Sequence, residues 1–217
     1  SGVNTKWHET EERVIAKRAL VLLLISSNLM RHYQPMRKQE TYLMPVIVNT
    51  DRFELDIVEK PFLMGYIGSF ASKDGIDLLL EGLKHVLPEY PKLMLRLIGH
   101  NPHMYPLEEK VMAMGLQNNV EITGTVKYEA IPRLLLECDT LLMNRDASIF
   151  STYGYPIKLG EYFACKKPVI MSDGKGFAED FEARNQVYKY EVDNAASLAD
   201  AIRYRYAHLG ESDAVAI

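Results

Sequence analysis

Short runs of consecutive apolar residues, each followed by a longer amphipathic stretch, are the feature that most constrains this fold. The runs are Phe62–Gly68, Leu93–Gly99, Thr140–Met143 and Pro168–Met171. The segment Val120–Gly124, which includes Glu121 and Thr123, is a further short predicted strand. Strands that are apolar along their whole length are buried on both faces, as in parallel sheets covered by helices on both sides. The sequence therefore predicts an α/β domain with a doubly wound parallel sheet.

The stretches that follow these runs have apolar residues at helical spacing. They predict helices that cover residues 76–87, 107–116, 130–137, 156–164 and 197–207. Pro156 fits the first turn of its helix, where a missing N–H costs nothing. Ser197 is expected near the start of the last helix.

The first 45 residues do not continue this alternation. Glu11–Lys17 and Asn28–Met36 have helical patterns, and Leu20–Ile25 is a strand-like run. A chain of 217 residues is long for one domain of about 100–150 residues and short for two. We interpret residues 46–217 as one complete domain and residues 1–45 as the remnant of another, with the crossover between them.

Composition excludes several classes of protein. The hydrophobic content of 47% is too high for a disordered chain, and the formal charge of −4 argues against nucleic acid as a partner. The longest apolar run, Ala19–Ile25, is far shorter than the roughly 20 residues of a membrane helix. Cys138 and Cys165 lie in apolar runs, which favours buried thiols and a cytoplasmic protein. The histidines lack metal-site spacing, so we expect no metal and no other cofactor.

Ligands of open parallel sheets bind beyond the carboxyl ends of the strands. The helix that begins after Pro156 offers free N–H groups around Ile157 and Lys158, and a lysine in a first helical turn favours phosphate. Lys158 and Glu161 are three residues apart and share a helix face. Arg145, just past a buried strand, is suited to donate two hydrogen bonds to a diphosphate. An ordinary salt bridge between Lys158 and Glu161 is the alternative.

The segment Tyr155–Ala164, followed by Lys167–Ile170, resembles the signature of the family 4 glycosyltransferases. Further segments resemble that family in order and spacing: Gly65–Gly68, Lys73–Asp77, Arg96–Gly99, Val120–Gly124 and Cys138–Leu142. The family has the GT-B architecture, in which two Rossmann-like domains face each other across a cleft. The resemblance implies that this chain is the carboxyl-terminal, donor-binding domain, and that residues 1–45 belong to the acceptor-side domain.

The resemblance also implies a donor site. Glu161 would accept hydrogen bonds from the ribose, the turn at Gly154–Ile157 would face the diphosphate or sugar, and Gly124–Val126 would lie against the base. The implied donor-binding residues are Gly68, Ser69, Lys73, Arg145, Tyr153, Gly154, Tyr155, Ile157, Lys158 and Glu161, with Gly124 and Val126 at the base. It implies neither a metal nor an identified catalytic residue.

This chain departs from the family at three positions. Many members carry two glutamates separated by seven residues, and Tyr153 occupies the first of those positions. Many also carry Arg and Lys where this chain has Ser69 and Asp74. We therefore expect Arg145 and Lys158 to supply the cations that bind phosphate.

The activity implied by the resemblance is retaining, metal-independent hexosyl transfer from a nucleotide-diphosphate sugar, in polysaccharide or glycan biosynthesis. The acceptor, and any peripheral membrane association, would belong to the missing amino-terminal domain, so this chain alone is expected to bind donor without transferring sugar. Two alternatives stay open. One is a degenerate, non-catalytic donor-binding or interaction module, and the other is a related GT-B sugar-nucleotide epimerase.

Overall fold

The computed structural model describes residues 12–36, 38–44, 46–70, 74–101, 105–146, 148, 151, 153–174 and 186–208. The strands in these ranges are β1 (Leu22–Leu24), β2 (Thr41–Leu43), β3 (Lys60–Gly68), β4 (Met94–Gly99), β5 (Val120–Gly124), β6 (Cys138–Met143), β7 (Val169–Ser172) and β8 (Val187–Tyr190). The α-helices are α1 (residues 12–18), α2 (Ser27–Tyr33), α3 (Ile76–Val86), α4 (Leu107–Ala113), α5 (Ile131–Leu136), α6 (Ile157–Ala164) and α7 (Ala195–Ala207). Short 3-10 helices lie at Gln34–Met36, Thr50–Phe53 and Tyr128–Ala130.

Six strands form one parallel sheet in the order β5-β4-β3-β6-β7-β8. The chain runs from β3 outward to β5, returns to place β6 on the free side of β3, and then runs outward to β8. This reversal between β3 and β6 makes the sheet doubly wound, so the predicted fold class is confirmed.

Side chains alternate between two cores along the central strands, because successive residues of a strand point to opposite faces. Leu95 and Leu97 pack with helices α3, α4 and α7, whereas Ile98 packs with α5 and α6 on the other face. The cores on both faces explain why the strands are apolar along their whole length.

The two cysteines lie buried in the core beneath α5 and α6 as free thiols. Burial raises the pKa of the Cys138 thiol to about 12 and also raises that of Cys165. Both thiols are therefore protonated at neutral pH, so neither is suited to act as a nucleophile.

The sequence patterns missed two strands and placed some boundaries differently. The strand β8 lies at the sheet edge, and its Tyr188 and Lys189 do not form an apolar run. The strand β2 pairs with β1 in a separate two-stranded parallel sheet. The predicted strand Leu20–Ile25 is confined to β1. The last helix, α7, begins at Ala195, so Ser197 lies in its first turn as expected. Asn194 caps this helix, since its side chain accepts a hydrogen bond from the Ser197 backbone N–H at 3.0 Å.

The amino-terminal elements form a unit apart from the six-stranded sheet. Several of its apolar side chains are exposed, among them Leu20, Val21 and Leu23, whereas Ala16 and Leu24 are buried. The segment after β2 returns to the main domain, where Val48 lies against α6 and Phe53 is buried beneath α5 and α6. The domain boundary between residues 45 and 46 stays a prediction. None of the helices in the described ranges has the length and apolar character needed to span a bilayer.

Candidate functional site

The expected ligand site is the crevice between β3 and β6. The loops after these two strands lead to opposite faces of the sheet, which opens a crevice between them. The loop after β3 leads into α3, and the loop after β6 leads into α6. Lys73 lies outside the described residues, so its predicted contact with the donor stays untested.

Asn144 joins the two loops across this crevice. Its side chain is buried and donates hydrogen bonds to the backbone carbonyls of Asp74, at 3.1 Å, and Gly75, at 3.2 Å. The Tyr190 hydroxyl donates to its Oδ1 at 2.6 Å. Gly75 has a φ of +56°, and a Cβ there would lie 2.0 Å from the Asn144 amide nitrogen. The residue at position 75 is therefore glycine for two reasons, conformation and space.

At the carboxyl ends of β3 and β4, Gly99 lies directly against the backbone of Gly68. Gly99 has a φ of +146°, and a Cβ there would lie 1.9 Å from the backbone oxygen of Gly68. Only glycine fits this approach, which keeps the floor of the site free of side chains.

Lys158 lies in the first turn of α6 and reaches toward β3. Its Nζ donates to the Tyr66 hydroxyl at 2.9 Å, lies 4.2 Å from the centre of that ring and is 3.7 Å from Asp74 Oδ1. Asp74 also accepts a hydrogen bond from Ser69 Oγ at 3.1 Å. Burial and the Asp74 charge raise the pKa of the Tyr66 phenol well above its usual value, so Tyr66 stays neutral.

Lys158 and Glu161 thus form ion pairs with different residues. Lys158 pairs with Asp74, whereas Glu161 lies 3.6 Å from Arg52. Asp74 stands at a position where the resemblance implies a lysine, and it supplies a carboxylate instead. This carboxylate holds the cation of Lys158 at the amino end of α6.

Arg145 is half-buried behind the turn that leads into α6. Its Nη1 donates to the backbone oxygen of Gly154 at 3.1 Å. Its backbone is fixed by Ser172, whose hydroxyl accepts from the Arg145 N–H at 3.0 Å and donates to the Arg145 carbonyl at 3.1 Å. Burial lowers the pKa of the guanidinium. The structure therefore brings Arg145 together with the predicted diphosphate turn.

The amino-terminal unit contacts the same turn through Tyr153. Ser26 is buried, donates to the backbone oxygen of Tyr153 at 3.0 Å and caps α2 by accepting from the Leu29 N–H at 3.2 Å. The ring of His32 lies 5.3 Å from the ring of Tyr153. Tyr155 packs against the core under α6, and Ile157 is 66% exposed.

Glu161 lies on α6 beside the segment that enters the domain. Its side chain is 12% exposed, and burial raises the pKa of the carboxyl, although the nearby Arg52 opposes this rise. The Arg52 guanidinium stacks on the Tyr128 ring at 3.6 Å and donates to the Tyr128 backbone oxygen at 2.9 Å.

The predicted base-contacting segment lies at the end of β5. Gly124 has a φ of +66° with open space beside it, and Val126 packs against the core under α5. His100 Nδ1 lies 3.0 Å from the Thr125 hydroxyl, which links the loops after β4 and β5. In the described ranges, no three His, Cys, Asp or Glu side chains are grouped so as to hold a metal ion.

Sequence reasoning did not identify Arg52 or Tyr66 as parts of this region. Arg52 lies in a connecting segment without periodicity, and Tyr66 is inside an apolar run that reads as core. A single sequence carries no signal for either contact, because each depends on how distant segments pack.

Comparison with known proteins gives one family and several solved structures. A model of the family described as "Glycosyl transferases group 1" matches residues 48–207. An exopolysaccharide phosphotransferase of Streptomyces coelicolor is 28% identical over 130 residues, which are 58% of this chain and 13% of that protein.

Similar structures include a sucrose-phosphate synthase from Thermosynechococcus elongatus, with a TM-score of 0.74 and 18% identity over 91% of this chain and 51% of that chain. HepE from Anabaena, in complex with UDP and glucose, has a TM-score of 0.72 and 16% identity over 90% of this chain and 56% of that chain. TarM from S. aureus, in a complex that includes UDP, has a TM-score of 0.75 and 17% identity over 89% of this chain and 38% of that chain. At such identities the likeness shows the fold alone. This chain spans about half the length of the first two structures and a small part of the curated relative.

Proposed function

Since this chain belongs to the group 1 glycosyl transferases, we propose that it is the donor-binding half of a family 4 enzyme. It binds a nucleotide-diphosphate sugar, whose sugar is transferred with retention to an acceptor held by an amino-terminal domain. The observation that carries this proposal is the meeting of Lys158, Arg145 and the amino end of α6 at the crevice between β3 and β6.

The proposed chemistry is electrostatic stabilisation of the departing diphosphate. Charge develops on the diphosphate as the bond to the sugar breaks, and preorganised cations and helix N–H groups stabilise it without further reorganisation. Lys158 is preorganised by Tyr66 and Asp74. We assign no metal and no protein nucleophile to the step.

Nucleoside diphosphate as the ligand class has independent support. The solved structures of HepE and TarM contain UDP. The relative from Streptomyces, an exopolysaccharide phosphotransferase, supports a place for this chain in polysaccharide biosynthesis. We propose that the transfer takes place in the cytoplasm, where nucleotide sugars are made.

Thermal-shift measurements with the diphosphates of uridine, guanosine, adenosine and thymidine test the ligand class and identify the base. Lys158→Ala and Arg145→Ala are each expected to weaken binding of the best ligand about tenfold or more, the scale of a lost charge-assisted hydrogen bond. Lys60→Ala is the matched control, because Lys60 is an exposed cation at the opposite, amino end of β3. Unchanged affinity in both site variants would contradict the proposed roles.

One observation favours the second candidate, a donor-binding module that does not transfer sugar. Tyr153 stands at the first glutamate position, and its ring contacts His32 of the amino-terminal unit. A donor-hydrolysis assay on the chain joined to its amino-terminal domain separates the two. Turnover supports the enzyme, and binding without turnover supports the module. Full-rate transfer by this chain alone would overturn the proposal that the acceptor domain is required.

A further inference from the structure

The segment that enters the main domain places Arg52 against α6. Its 3-10 helix, Thr50–Phe53, is capped by the Asn49 side chain, which accepts a hydrogen bond from the Asp51 N–H at 3.1 Å. Phe53 is buried in the core under α5 and α6. On the preceding side, Val48 lies so close to Gly160 that a Cβ at position 160 would be 2.4 Å from Val48 Cγ2. The backbone on both sides of Arg52 is therefore fixed.

The guanidinium of Arg52 has contacts on three sides. It donates to the Tyr128 backbone oxygen at 2.9 Å, stacks 3.6 Å from the centre of the Tyr128 ring, and its Nη1 lies 3.6 Å from Glu161 Oε1. At 3.6 Å the pair with Glu161 is an ion pair longer than a normal hydrogen bond. The carboxylate oxygens of Glu161 therefore keep lone pairs that can accept hydrogen bonds from a ligand.

Arg52 is the positively charged group that interacts with Glu161. The other ionisable groups that interact with Glu161 in the described ranges are Tyr162 of its own helix and Cys165, which directly follows that helix, and burial raises the pKa of both. Both are therefore neutral at physiological pH. Burial favours the protonated form of Glu161, and Arg52 opposes that effect.

We propose that Arg52 is a positioning residue for the nucleoside half of the donor. It acts by holding the Glu161 carboxylate in a fixed position relative to Tyr128. Tyr128 begins a 3-10 helix shortly after Gly124–Val126, the segment proposed to contact the base. Arg52 thus ties the proposed ribose acceptor to the proposed base segment. An ionised Glu161 accepts hydrogen bonds from two ribose hydroxyls, whereas a protonated carboxyl loses part of that capacity. This inference rests on the proposed function.

The test compares two ligands and two variants. Affinity is measured for the best nucleoside diphosphate and for its 2′,3′-dideoxy analogue, from pH 5 to pH 8. In Arg52→Gln we expect affinity for the ribonucleotide to fall about tenfold at pH 7, with little change for the dideoxy analogue. Its affinity should also begin to fall at a higher pH on acidification, because removal of the cation raises the pKa of Glu161 further.

Arg52→Lys keeps the charge but not the planar stacking group. It should restore the pH profile of the wild type and only part of its preference for ribose. Arg133→Gln is the matched control, since Arg133 is a 70% exposed arginine of α5 that pairs with Glu137. In a Glu161→Gln background, Arg52→Gln should cause no further loss.

Each outcome decides one question. An unchanged ribose preference and pH profile in Arg52→Gln, with normal binding by the wild type, would overturn this inference alone. Absence of binding by the wild type would overturn the proposed function and this inference with it. Should Arg52→Gln not fold, as judged by circular dichroism, Arg52→Lys decides: a ribose preference equal to that of the wild type overturns the inference.

Discussion

Single residues at the crevice differ in whether they serve stability or ligand binding, and Asn144 serves stability. Its buried side-chain amide donates hydrogen bonds to two backbone carbonyls of the loop after β3 and accepts one from the Tyr190 hydroxyl of β8. A buried polar group left without its partner costs about 1–3 kcal/mol. Asn144 therefore holds the loop after β3 in place beneath the proposed phosphates.

Asn144→Ala is expected to lower the free energy of unfolding by roughly 2–4 kcal/mol, because it leaves several buried polar groups unpaired. Urea unfolding followed by circular dichroism measures this loss. Tyr190→Phe removes one of the three hydrogen bonds and should cost about 1–2 kcal/mol. Equal losses in the two variants would contradict the linking role of Asn144.

Unlike Asn144, Glu161 is expected to contribute to ligand binding while its charge lowers the stability of the fold. Burial raises the pKa of its carboxyl in the folded state, so ionised Glu161 opposes folding above that pKa, and stability is gained as the pH falls through it. Glu161→Gln should therefore be at least as stable as the wild type at pH 7 while binding the ribonucleotide more weakly.

Thermal unfolding at several pH values checks this prediction. The difference in unfolding temperature between the wild type and Glu161→Gln should become smaller as the pH falls and Glu161 is protonated. A variant that is clearly less stable at pH 7 would show that the Glu161 charge contributes to the fold.

Prediction from sequence reached some of these residues and not others, for a physical reason. Lys158 and Arg145 were recognisable because each lies next to the end of an apolar run or the start of a helix. The partners Arg52, Tyr66 and Asp74 were not, because their roles depend on contacts between segments far apart in the chain. Whether the predicted site residues bind donor is a matter for the binding experiments.

At the scale of elements, Gly99 at the end of β4 is required for the pairing of β4 with the end of β3. Gly99→Ala would place a Cβ 1.9 Å from the Gly68 backbone oxygen, so the ends of β3 and β4 must move apart. We expect a loss of about 3 kcal/mol or more in unfolding free energy, since backbone strain and a steric clash add.

Gly115→Ala is the matched control for this prediction. Gly115 also has a positive φ, +74°, but a Cβ there would meet nothing within 4 Å. Strain alone, about 1–2 kcal/mol, is expected. Similar losses in Gly115→Ala and Gly99→Ala would show that the close approach of β3 and β4 does not matter.

The strands that sequence patterns found have buried central residues, with β5 as the exception. Each of the five predicted strands of the main domain lies in the main sheet, from β3 to β7. The edge strand β8 was missed because it is covered less completely and carries Lys189. The strand β2 was missed because its apolar run, Tyr42–Met44, is only three residues long and ends at Pro45. The edge strand β5 was found although its residues are only partly buried, so partial exposure weakens the signal without removing it.

At the scale of the whole molecule, the two sheets differ in protection from solvent. The strands β1 and β2 pair only with each other in the described part of the chain, and Leu23, Tyr42 and Leu43 are exposed. A two-stranded sheet is marginally stable. The strands β3 and β6, by contrast, lie inside a six-stranded sheet with cores on both faces.

Hydrogen exchange measured by mass spectrometry should show this difference. Peptides that contain β1 and β2 are expected to exchange well before peptides that contain β3 and β6, because local opening costs less where few apolar contacts are lost. Equal protection would show that the amino-terminal unit is as stable as the main sheet.

The order of strands has a consequence for the way this chain is made. During synthesis, β3, β4 and β5 leave the ribosome together and pair as neighbours, but β3 lacks its other neighbour until β6 has followed. Lys60 on β3 is in register with Cys138 on β6, so the nascent chain carries an open strand edge while the intervening residues are added. Closure of that edge also completes the crevice, so the proposed donor site cannot form before β6 and α6 have been added to the chain.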